Sequence, residues 1–78
     1  MKRYFFNLSD GTRERDDTGQ PFVDDMAAQR EAIRFAGEIL KHEPDRLEHG
    51  CLKVDVNDEA GAVLFVVDVQ LREGVAAG

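Results

Sequence analysis

Asp25-Met26-Ala27-Ala28-Gln29-Arg30-Glu31-Ala32-Ile33-Arg34-Phe35-Ala36-Gly37-Glu38-Ile39-Leu40-Lys41-His42 is the one stretch of this 78-residue chain long and periodic enough to read as a helix from its pattern alone. At about 100° per residue, Ala32, Ile33, Ala36, Ile39 and Leu40 share one arc, with Ala28 and Phe35 on its flank. Arg30, Arg34, Gly37, Glu38 and Lys41 fall opposite. The pattern is that of an amphipathic helix with a single stripe turned to a core. Asp24 or Asp25 suits the N-cap, because a short carboxylate accepts first-turn N–H groups and matches the positive end of the helix dipole. Pro44 stops the helix by disfavouring the helical region at Glu43 and bringing no N–H. Lys41 and His42 suit the negative end, and Arg34 and Glu38 stand at i,i+4 spacing for an ion pair.

Working outward, residues 2–8 read as a strand, with Tyr4, Phe6 and Leu8 on one face and Arg3, Phe5 and Asn7 on the other. Asp10-Gly11 supplies a tight hairpin turn. The return over residues 12–16 is almost wholly charged, a pattern that blunts an edge strand. Residues 17–21 form a turn-rich connector, and Phe22 is expected to plug the underside of the helix N-terminus. After the helix, a polar loop over residues 43–50 is anchored by Leu47. Residues 51–57 form a third strand with Leu52, Val54 and Val56 inward and Cys51, Lys53 and Asp55 outward. A turn over residues 58–61 leads to the most apolar strand, residues 62–71, whose Val63, Phe65, Val67, Val69 and Leu71 are expected to face the helix.

The fold class is therefore α+β, with order β-β-α-β-β and one helix packed on a four-stranded sheet. Residues 1–72 form a single domain, and residues 73–78 form a flexible C-terminal tail. The first and last strands are apolar on both faces and so belong in the middle. That gives the β-grasp-like order 2-1-4-3, with strands one and four parallel. The alternative order, 2-1-3-4, is fully antiparallel and leaves the valine-rich last strand at an edge, where it invites aggregation.

Sixteen acidic and ten basic residues give a net charge of −6, spread along the chain. Such a surface repels phosphate backbones and anionic lipid, so neither nucleic acid nor membrane is an expected partner. One cysteine cannot form an internal disulfide, which fits a reducing compartment. No apolar run approaches the roughly 20 residues of a membrane span, and the opening residues turn polar too soon for a secretory signal. The expected location is the cytoplasm.

Arg3-Tyr4-Phe5-Phe6, the Asp10-Gly11 turn, Asp16-x-x-Gly19, Asp24, Ala27-Ala28 and Glu31-Ala32 together resemble a family of short bacterial proteins. Its members carry a domain of unknown function and are common in soil and plant-associated bacteria. The resemblance runs from the first strand through the third-strand hairpin and implies a bacterial origin, but no activity. Members of that family commonly carry His where this chain has Asn7, so no role that needs an imidazole there is expected.

Catalytic and metal readings find little support in the pattern. His42, His49 and Cys51 do not match the recurrent zinc spacings and read as surface histidines and a half-buried thiol. Asp55-x-Asn57-x-Glu59-x-Gly61 lacks the glycine position and the distal Glu of a calcium loop. Asp16/Asp17 and Asp24/Asp25 sit where Asp bonds the local backbone in turns and caps. No nucleophile–base set and no glycine-rich phosphate loop is present, so neither an enzyme nor a cofactor is expected.

The leading functional candidate is the sheet face away from the helix, with Phe5, Leu64 and Val66 ringed by Arg3, Asn7, Lys53, Asp55, Asp68 and Gln70. An apolar centre with a mixed-charge rim suits a protein partner or a homodimer. Alternatives are single-stranded nucleic acid on the same face, with Phe5 stacking and Arg3, Arg13 and Lys53 on phosphates, or an accessory role in stress regulation.

Overall fold

A helix over Asp25–His42 is present, and its limits have local causes. In the structure, a computed structural model describing residues 1–74, the Asp24 carboxylate accepts the Ala27 N–H at 2.8 Å and caps this helix, α1. Glu43 N–H closes the last turn on the Ile39 carbonyl at 2.7 Å. Pro44 then opens a short 3-10 turn, Pro44–Leu47. The buried stripe is Ala28, Ala32, Ala36 and Ile39, flanked by half-buried Phe35 and Leu40. Ile33, expected in that stripe, is 57 % exposed. The stripe is centred between Ala28 and Ala36, which turns Ile33 aside by about 100°. The expected Arg34–Glu38 pair is also replaced: Arg34 bonds Glu31 at 2.5 Å, and Glu38 meets His42 at 3.2 Å.

The sheet contains β1 (Lys2–Ser9), β2 (Arg13–Glu14), β3 (Gln20–Phe22), β4 (Cys51–Asn57) and β5 (Val63–Gln70). Its order is β2-β1-β4-β5, with β3 pairing β1 as well, and every pairing is antiparallel. This corrects the β-grasp-like order 2-1-4-3, which would have placed β1 beside β5. The arrangement is the alternative 2-1-3-4, with a fifth, three-residue strand added. The polar residues of β4 lie on the solvent face of a central strand, where Asp55 and Asn57 meet Asn7, and Cys51 meets Asp68, across the strands, while Lys53 is exposed. An antiparallel sheet wet on one face accommodates this alternation at its centre.

Leu52, Val54 and Val56 of β4 are fully buried under α1, as are Tyr4 and, nearly, Leu8 of β1. Phe22 packs edge-to-face on Tyr4 and Phe6, with ring centroids 6.0 and 5.7 Å apart. Leu47 closes the far end of the core. Phe65, Val67 and Val69 meet that core from β5, whereas Val63 and Leu71, expected beside them, are each 59 % exposed. The expected tail falls outside the described residues from position 75 onward.

The Tyr4 hydroxyl donates to Asp25 Oδ1 at 2.5 Å, tying β1 to the first turn of α1. That bond, burial and the charges of Asp25 and Asp24 push the phenol up to about 12. A phenol held protonated in the fold contributes stability in full below its unfolded value near 10, lost as pH rises through the folded value. Tyr4→Phe is expected to lower the melting temperature by about 4–8 °C, the effect of one hydrogen bond in a domain of this size. The deficit should shrink above about pH 10 in a thermal-melt series.

Candidate functional site

The open face is built from alternate residues of three strands, and the register shows how they lie together. Asn7 stands opposite Asp55, which stands opposite Val66; Ser9, Lys53 and Asp68 form the next row. The middle column is therefore polar, formed by Cys51, Lys53, Asp55 and Asn57 on β4. It separates Phe5 on one side from Leu64 and Val66 on the other. The expected apolar centre does not exist as one patch, because β5 is an edge strand and not a central one.

Several rim residues are committed to the fold. Asn7, only 4 % exposed, donates to Asp55 at 3.1 Å and to Asn57 at 2.6 Å. Arg13 reaches the same Asp55 carboxylate at 3.4 Å. Arg3 donates to the carbonyls of Thr18 and Gly19, and its stem lies with Phe5 beneath Gly19. Phe5, Arg3 and Arg13, the groups a single-stranded nucleic acid would use, are thus engaged within the protein. Lys53, Asp68 and Gln70 remain exposed. Cys51 donates to Asp68 at 3.1 Å, and with burial that bond pushes its thiol up.

The polar chemistry outside this face is equally accounted for. His42 pairs with Glu38, His49 lies against Gly11, and Cys51 is on the sheet, so the three soft ligands are apart. Among the described residues no cluster of His, Cys, Asp and Glu could hold a metal. A cleft of about 380 Å³ between β1 and α1 is lined by Phe6, Asp16, Gln20, Glu31, Arg34 and Phe35, and its three charged groups are already bonded inside the fold, Asp16 to backbone N–H groups and Glu31 to Arg34. Arg46 joins Asp10, Glu14 and Glu43, fastening the β1–β2 hairpin to the 3-10 turn.

The two edges of the sheet differ sharply. Along β1 the outer edge is covered in three pieces. β2 pairs with Leu8 and Ser9, and β3 pairs with residues 2–4. Between them Asp16 takes the Phe6 N–H at 3.1 Å while binding the N–H groups of Thr18 and Gly19 at 3.0 and 2.9 Å. Gly19 is required at the end of this clamp: φ is +73°, and a Cβ would stand 2.8 Å from the Phe5 ring. Burial pushes the Asp16 carboxyl up, but the N–H groups of Gly19, Phe6 and Thr18, with Arg3, more than offset it and hold it below its usual range.

Nothing among the described residues pairs with the outer edge of β5. Leu71 N–H bonds Gly50 C=O at 2.9 Å, so in the regular part of the ladder the odd residues aim at β4. Val66, Asp68 and Gln70 therefore aim their backbone groups outward. Val66 is 50 % and Leu64 38 % exposed. Above this edge runs one flank of α1. Phe35 lines the cleft on the β1 side, so helix geometry turns the opposite flank, with Ile33 and Leu40, toward β5. An open strand edge with apolar side chains above and beside it is a surface that can receive another strand.

No helix among the described residues is long and apolar enough to cross a membrane. No curated protein matches the chain, and no solved structure does. Residues 3–70, which hold all of β1 but Lys2, the capped helix and the β4–β5 hairpin, match the domain of unknown function DUF6894, and the chain belongs to that family.

Proposed function

We propose that the protein is a non-enzymatic protein-interaction module that works by accepting a β-strand along β5. The observation that carries this reading is the contrast between the edges: β1 is covered by two short strands and a carboxylate, while β5 presents eight residues with a single charge. Exposed edges are ordinarily blunted by charge, proline or cover. Leu64 and Val66 keep the part in binding expected for them, beside the edge instead of at the centre of the face. The single cysteine suits this role in a reducing cytoplasm.

The probe is a fluorescent peptide of residues 62–71 carrying terminal lysines, titrated with dilute protein and read by anisotropy. Wild type is expected to bind it, and Val66→Pro to weaken binding at least about tenfold, or 1.4 kcal/mol. Val66 N–H faces outward, so proline there removes the docking donor and spares the β4 ladder. A peptide that ignores the wild type, or binds both proteins equally, overturns the reading.

A further inference from the structure

Resting on that strand-acceptor reading, we propose that the strand received at β5 is the β5 of a second copy, giving a two-fold dimer with one continuous antiparallel sheet.

The charge pattern permits a copy along β5, and the apolar pattern of the strand is complementary to itself. A chain of net charge −6 repels itself over most of its surface. Along β5 the only charge is Asp68, and it lies opposite Lys53 of its own chain. Two copies can therefore approach along this edge with no like charges directly opposite one another, provided the axis does not pass through Asp68.

That condition and the apolar pattern select a register. With the axis at Val67, Val67 faces its own mate, Phe65 faces the partner's Val69, and Asp68 faces the partner's Val66. Exposed Val63 and Leu71 come into line with one another. Val66 and Asp68, whose backbone groups aim outward, form hydrogen-bonded pairs, and Val67 forms the closer non-hydrogen-bonded pair. An axis at Asp68 would instead set the two carboxylates face to face, which is destabilising. The same axis brings the two Ile33-bearing helix flanks to either side of the joined strands and shields the apolar residues between them. A closed two-fold pairing also uses up both open edges, which an unlimited strand stack would not.

The test measures mass by light scattering, amide exchange, and disulfide trapping in a Cys51→Ser background. The wild type is expected at twice the 8.7 kDa of one chain. Val66→Pro is expected at one chain's mass, with slow exchange at β4 amides showing that it is folded. Val66, Asp68 and Gln70 amides should exchange slowly in the wild type and freely in the variant. Val67→Cys should cross-link on mild oxidation, and Val69→Cys should not, since it faces Phe65. A monomeric wild type that still binds the peptide overturns the second copy and leaves the strand acceptor standing. A dimer that survives Val66→Pro and fails to cross-link through Val67→Cys overturns the pairing of copies through β5, while the strand acceptor falls only with the peptide.

Discussion

Asp16→Ala is expected to cost about 3 kcal/mol of stability, a large part of the roughly 4–12 kcal/mol available to a domain this size. One carboxylate holds three backbone N–H groups, two of them in its own turn and one, that of Phe6, on β1. The turn donors can find water once the carboxylate is gone. Phe6 N–H is partly buried between β2 and β3, and leaving such a donor unpaired carries most of the loss. Asp16→Asn keeps one accepting oxygen, enough for the turn donors or for Phe6 N–H but not for both, so it should lose about 2 kcal/mol and fall between wild type and Asp16→Ala in urea titrations.

The same carboxylate gives a pH signature. Its folded pKa lies below the unfolded one, so its contribution is present in full above the unfolded value, near 4, and is lost as pH falls through the folded value. Wild-type stability should therefore decline in that acid window, with a shallower decline in Asp16→Asn. Equal slopes would mean that solvent screens the carboxylate in both states.

Asp16 also marks the limit of what local sequence patterns encode. The helix was legible to the residue, because a long 3.6-residue period, an Asp cap and a terminating proline agree with one another. The inward faces of β1 and β4 were legible because alternation is strict there. Strand order was not, since apolar residues on both faces of a strand predict a central position, whereas β5 exposes its own at an edge. A sequence states which side chains avoid water in a monomer only if the monomer is what buries them. β3 escaped notice because it has three residues, one of them Pro21, and gains its place from pairing with Arg3. Asp16-x-x-Gly19 could be seen as a motif, but its task depends on Phe6, ten residues back, whose N–H no local pattern marks as unpaired. The open-face candidates suffered from the same misplacement: Phe5 and Val66 share a face only across a polar strand.

Asn7 completes the clamp, and its replacement should separate shape from hydrogen bonding. Its side-chain oxygen accepts the Asp16 N–H at 2.9 Å, while its amide donates to Asp55 and Asn57. Asn7→Leu has similar bulk but strands the Asp16 N–H and is expected to cost about 2–3 kcal/mol. Asn7→His offers one ring nitrogen to accept and one to donate, so it should cost under about 1 kcal/mol. Because Asn7 and Asp16 hold the same loop to the same strand, their losses should not add. The double variant Asn7→Leu/Asp16→Ala is expected to fall short of the summed single losses by about 1 kcal/mol or more. Strict additivity would show that Asp16 stabilises β1 independently of Asn7, through Phe6 alone.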